Sequence, residues 1–145
     1  MLYIVETEFL FGLRKNDRWN KKVSSIIELH KNGKLEPLFS CASAFLEAGL
    51  VLQAHGLPAE QIEDALFLMK QKMAEANIAE VELNSDDIIR LYELLRRHDI
   101  EYFDAMQAAV ALGRKTILIT NDKTFKKLGI KTLTFQELLE KTTTS

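Results

Sequence analysis

Apolar and polar positions along this chain follow two periods, and the switches between them outline the elements. "LYIV" at residues 2–5 is an unbroken apolar run with β-branched and aromatic members, the pattern of a fully buried strand. "EFLFGL" after it predicts a short helix with Thr7 as cap, and "DRWNKKVSSIIELHKNG" brings Trp19, Val23, Ile26 and Ile27 round at helical spacing before stopping at Asn-Gly. "LEPLFS" predicts a short strand, placed at a sheet edge because Pro37 has no N–H to donate, and a helix follows from about Ala42 to His55, ended by Gly56.

Pro58 opens the helix in "LPAEQIEDALFLMKQKMAEAN", and "IAEVEL" then alternates as a strand does. "NSDDIIRLYELLRRHD" joins a cap to Ile88, Leu91, Leu94 and Leu95 on one helical face. The rest reads as an Ala-rich helix "EYFDAMQAAVALG" closed by Gly113, a buried strand "TILIT", a short helix "DKTFKKLG", a strand "IKTLTF" and a terminal helix "QELLE". Strands alternating with helices predict a three-layer α/β/α sandwich around a mostly parallel sheet, with residues 1–140 as a single domain and 141–145 as a flexible tail.

Composition narrows this picture only slightly. The 145 residues are 47% hydrophobic and 28% charged with a formal net charge of −2, so neither disorder nor a strongly basic binder is indicated. The single cysteine, Cys41, has apolar neighbours, cannot form an internal disulfide and reads as a small buried hydrophobe, which with the absence of a secretory signal suggests a cytoplasmic protein. The most apolar run, from Leu38 to Ala54, is too short for a comfortable membrane span and carries Glu47 at its middle, so no membrane partner is expected.

Glu47 changes the picture more. An ionised carboxylate in apolar surroundings needs a compensating partner, and His55 is the nearest positive candidate in sequence, eight residues away. Glu6 follows the first strand, and Asn121 and Asp122 follow "TILIT", so both acids fall beyond the carboxyl ends of strands, where parallel sheets hold their ligands. Asp104 starts a helix that is otherwise apolar except for Gln107. Ordinary roles exist for three of the acids: Asp104 as a charge at a helix N-terminus, Asp122 as a cap, Glu6 as a solvated strand end. Convergence of all four without matching Lys or Arg would instead call for a divalent cation, and all-oxygen donors select Mg²⁺ or Mn²⁺.

In order and separation, "IVETEFLF", "SAFLEAGL", "YFDAMQAAVA" and "LITNDKTF" resemble the four acidic motifs of PIN domains, and the length resembles the VapC toxin ribonucleases of VapBC toxin–antitoxin systems. The resemblance implies a metal-dependent endoribonuclease acting on single-stranded or structured RNA. Glu6, Glu47, Asp104 and Asp122 would be its catalytic and metal-binding acids, with Thr7, Thr120 and Asn121 in support. It departs in the first motif, where Glu6-Thr7-Glu8 stands in place of the usual Asp, Thr or Ser, then Asn or Ser.

RNA approaching such a pocket calls for a basic rim, with Arg14, Lys15, Arg18, Lys21 and Lys22 on one side and Lys123, Lys126 and Lys127 on the other. Trp19, among basic residues, is the best placed aromatic for stacking. The resemblance also implies a cognate antitoxin protein, and the apolar surplus around Ile26, Ile27, Leu66, Phe67 and Met69 leaves room for a homodimer. The alternative is a degenerate PIN-like domain that binds RNA or protein without cleaving. A small-ester phosphohydrolase of another family is disfavoured, because no Gly-rich phosphate loop is present.

Overall fold

The computed structural model describes residues 2–143. Five strands, β1 (Tyr3–Val5), β2 (Leu38–Cys41), β3 (Ala79–Val81), β4 (Ile117–Ile119) and β5 (Thr132–Leu133), form one sheet in the order β3-β2-β1-β4-β5. Every pairing is parallel. Among the described residues the helices are α1 (Thr7–Phe11), α2 (Asn20–Lys31), α3 (Ala42–Ala54), α4 (Ala59–Glu75), α5 (Ser85–Arg97), α6 (Tyr102–Arg114) and α7 (Phe135–Thr143), with a 3₁₀ helix over Lys123–Leu128.

The two-residue period of β1 divides the interior. Tyr3 and Val5 enter a core with Phe9, Leu10, Val23, Ile26, Ala48, Met69 and Phe135, while Ile4 enters a second with Leu91, Ala105, Ala108, Ala109 and Phe125. Helices α1, α2, α4 and α7 therefore cover one face of the sheet and α5 and α6 the other, as the three-layer expectation requires. Ala105, Ala108 and Ala109 are wholly buried, and such small side chains let α6 lie close against the sheet.

Several expectations change in detail. β2 is an inner strand rather than an edge, because Pro37 lies just before it and takes part only through its carbonyl, which accepts from Tyr3 N at 3.1 Å. The long apolar run is divided between β2 and α3. Glu6, not Thr7, caps α1: its side chain accepts from Glu8 N. Gly113 lies inside α6, which ends at a left-handed Lys115. A Cβ at Gly113 would come within 2.4 Å of an Arg90 guanidinium nitrogen, so a larger residue here displaces the Arg90 side chain that packs α5 on α6. α7 takes in residues 141–143 of the expected tail, and 144–145 lie outside the described residues. No helix among the described residues is long and apolar enough to cross a membrane.

Candidate active site

The register of the sheet decides which residues meet. Val5 pairs with Ile119 across β1 and β4, so Glu6 and Thr120 leave the sheet at one level, with Asn121 and Asp122 immediately after. Cys41 ends β2 beside them and leads into α3, whose second turn carries Glu47. Asp104 arrives from the first turn of α6 on the opposite layer. Acids from both helical layers therefore converge over the carboxyl end of the central strands, where the strand–helix arrangement expects a ligand.

They line a cleft of about 370 Å³ together with Thr7, Glu8, Phe11, Arg18, Trp19 and Thr120. All four sequence-predicted acids are thus brought to one cavity. Of the expected cations only Arg18 lines it. The Arg14 guanidinium sits 5.1 Å from the ring centre of Phe11, whereas Lys15, Lys123 and Lys126 lie on exposed surface outside the lining.

Beneath the acids lies a hydrogen-bonded layer that binds three helices together. Thr7 Oγ1 donates to Glu47 Oε1 at 2.5 Å, and Gln107 Nε2 reaches Glu47 Oε1 at 3.3 Å and Thr7 Oγ1 at 3.4 Å. Ser43 Oγ donates to Gln107 Oε1 at 3.1 Å. The spacing explains the convergence: Ser43 and Glu47 are one turn apart on α3, and Asp104 and Gln107 one turn apart on α6. Glu47 therefore takes its partners from neutral donors, not from a cation such as His55. Gln107, wholly buried, is the site residue that motif reading passes over; its signal was that it is the only polar side chain within an apolar helix stretch.

The turn after β4 is built from its own polar groups. Thr120 Oγ1 accepts from Asp122 N at 3.1 Å, and Asp122 Oδ1 caps the 3₁₀ helix through Thr124 N at 2.9 Å. Thr120 thereby orients Asp122, and Asp122 is a cap as well as a cleft acid. Asn121 Oδ1 receives Phe135 N at 3.0 Å and so ties this turn to α7.

Electrostatics set Glu6 and Asp104 apart. Burial pushes the Glu6 carboxyl up to about 8, and repulsion from Glu8, Glu47 and Asp104 adds to this against the opposing hydrogen bond from the Glu8 backbone. Burial also raises Asp104 to about 6, reinforced by Asp122, Glu101 and Glu47. With only 9% of its surface exposed, Glu6 is no solvated strand end. A raised acid pKa means that the folded chain holds its proton more tightly than the unfolded chain. The Glu6 contribution to stability is therefore fully present below pH 4.5 and declines as pH climbs towards 8. In chelator, the thermal midpoint is expected to fall across that window, and Glu6→Gln to flatten the fall by an amount of several kcal/mol at its alkaline end, read by melts at stepped pH.

The donor set suits a hard divalent cation: it is all oxygen, and among the described residues no Lys or Arg forms an ion pair with any of the four acids. As the side chains stand, no three His, Cys, Asp or Glu among the described residues are grouped to hold one ion, since Glu6 turns back to its own cap and Glu47 to Thr7.

The PIN domain family model matches residues 3–131. No curated protein matches the sequence. Among solved structures, the chain resembles VapC20 from Mycobacterium tuberculosis, a toxin that cleaves the sarcin–ricin loop, at 16% identity and TM-score 0.65, over 88% of this chain and 95% of that one. It resembles VapBC2 from Rickettsia felis, bound to a DNA fragment from their promoter, at 16% identity and TM-score 0.66, over 92% and 98%. A toxin–antitoxin complex from Klebsiella pneumoniae is similar at 15% identity and TM-score 0.61, over 92% and 97%.

Proposed function

The chain belongs to the PIN domain family, and from that premise we propose that it is an Mg²⁺- or Mn²⁺-dependent endoribonuclease, the toxin half of a toxin–antitoxin pair. One observation carries this reading: four acids from both helical layers face one cleft with no Lys or Arg partner among the described residues, and burial and mutual repulsion raise two of them. A bound divalent cation relieves that repulsion with the acids ionised, where protonation relieves it only by removing their charge.

Asp104, Asp122, Glu47 and Glu6 would hold the ion. The bound ion supplies Lewis acidity towards a phosphodiester and its attacking water. The chain supplies the rest. Gln107 and Thr7 fix the height of Glu47, Thr120 fixes Asp122, and Arg18 at the cleft wall offers the cation that an RNA phosphate requires.

Ion binding is expected to show directly in stability. Mn²⁺ at about a hundred times its dissociation constant should add about 2.7 kcal/mol to the wild type, seen as a rise in thermal midpoint over the chelated protein. Asp104→Asn should lose most of that rise. The activity test is Mn²⁺-dependent cleavage of single-stranded RNA; a wild type that neither cleaves nor gains stability from Mn²⁺ would overturn the reading.

A PIN-type binding module that does not cleave draws on a different observation, the dispersal of the glutamate oxygens onto protein donors. Glu6→Asp separates the two: cleavage gained or increased with the shorter acid marks Glu6 as an impaired ligand in a wild type that binds more than it cuts, and cleavage that falls marks a nuclease site built around glutamate.

An antitoxin partner is supported by the surface of α3 and α4. Ile26 and Met69 are consumed by the core, but Leu46, Leu50, Phe67 and Leu68 are 50%, 45%, 67% and 55% exposed, and a groove between Phe45, Leu46, Leu50, Ile62 and Leu66 runs beside them. The structural likeness to a toxin–antitoxin complex favours an antitoxin over a second copy as occupant.

A further inference from the structure

Glu8 looks on charge alone like a fifth ligand, yet both its oxygens face other donors. Oε2 accepts from Trp19 Nε1 at 3.0 Å and lies 3.7 Å from the Arg18 guanidinium. Oε1 accepts from Asn121 Nδ2 at 2.8 Å. The Asn121 amide cannot turn to relieve this demand, because its Oδ1 is held by Phe135 N–H and its NH₂ end must therefore point at Glu8. Position 8 thus needs two acceptors side by side. A carboxylate offers them, whereas glutamine offers one acceptor and sets an NH₂ against a donor.

The indole that Glu8 holds is itself a platform. The Trp19 ring packs edge-on against Phe135 at 5.6 Å, and the Arg18 and Lys22 cations lie 4.9 and 5.4 Å from its centre. Cations held over an aromatic face lose less freedom on meeting a phosphate than free surface lysines do. Arg18 and Trp19 both line the cleft, with Asp17 and Glu8 beside them.

We propose that Glu8 is a positioning residue and not a metal ligand: it fixes Trp19 so that Arg18 and Lys22 form the phosphate-binding wall for RNA, and it ties that wall to the Asn121–Asp122 turn. The proposal rests on the ribonuclease reading above. It moves the RNA contact from the exposed Lys15, Lys123 and Lys126 to two cations stacked on one indole, and it explains the carboxylate that replaces a neutral residue in the first motif.

Trp19 is the chain's one tryptophan, so intrinsic tryptophan emission reports on this contact alone. Wild type, Glu8→Gln, Glu8→Asp, Arg18→Ala and Lys22→Ala would be compared in chelator for emission and quencher access. Binding of a labelled single-stranded RNA would be followed across a salt series, and Mn²⁺ affinity by calorimetry. Glu8→Gln should shift the emission, open Trp19 to quencher and weaken RNA binding about tenfold, the order expected for losing one or two phosphate contacts, while Mn²⁺ affinity holds. Arg18→Ala and Lys22→Ala should each lower the salt slope by about one.

Unchanged emission in Glu8→Gln would overturn the clamp. Changed emission with unchanged RNA affinity would overturn its substrate role, and a loss of Mn²⁺ affinity with RNA affinity intact would make Glu8 a ligand after all. A wild type that binds Mn²⁺ but no RNA would overturn the phosphate wall. One that binds neither defeats the ribonuclease reading itself and the wall with it, and emission then decides the clamp independently.

Discussion

Asp104→Asn is expected to lower RNA cleavage by about 10²–10³-fold, the scale on which removal of one preorganised charge acts, while the thermal midpoint in chelator holds or rises. The substitution keeps the shape of the side chain and removes a charge that Asp122, Glu101 and Glu47 all oppose. Loss of activity with unchanged stability is the signature of a functional acid, because a helix-terminal charge serving only α6 would give a small loss of stability and none of cleavage. Gel-resolved cleavage in Mn²⁺ beside a thermal melt reads both, and an active Asp104→Asn would remove Asp104 from the site.

The largest expected loss of stability from a single substitution lies at the far end of α6. Arg114 makes a bidentate pair with Asp87 at 2.8 and 2.9 Å, and donates to the carbonyls of Val110 and Glu82. Asp87 completes a capping box with Asn84 at the start of α5 and is 2% exposed. Burial alone would raise the Asp87 carboxyl, but Arg114, the Asn84 backbone and Arg90 outweigh it and hold the group below the usual carboxylate range.

Arg114→Met leaves that carboxylate buried and short of partners, at a cost of about 3 kcal/mol, or roughly 10 °C in thermal midpoint. Because the folded pKa is depressed, the contribution is present above the ordinary carboxylate range and is lost as pH falls through it. Urea titration at neutral and acidic pH checks this: the gap between wild type and Arg114→Met should narrow in acid.

The layer order and the four acids were legible because each rests on local signals: runs of apolar residues between helical periods, charges just after strands for Glu6 and Asp122, a helix start for Asp104 and a lone charge in an apolar run for Glu47. What resisted reading depends on contacts distant in sequence. Pro37 suggested an edge strand, but its missing N–H matters only within the ladder, and the ladder starts one residue later. Thr7 looked like the cap from its residue type, yet the preceding glutamate reaches the same backbone groups and frees Thr7 for Glu47. The roles of Glu8 and Gln107 depend on partners 113 and 60 to 100 residues away. Gly113 looked like a stop because glycine ends helices, whereas a guanidinium from α5 occupies the space of its missing side chain.

The strand order also carries a consequence for synthesis. β1 sits at the centre of the sheet and pairs with β4, more than a hundred residues later in the sequence. Its neighbour on the other side, β2, arrives early, but β4, β5 and two of the four acids join only once residues 104–133 have been made. Such long-range pairing slows folding. It also means that a nascent chain cannot assemble this cleft, or the cleavage proposed for it, before Asp104 and Asp122 have emerged.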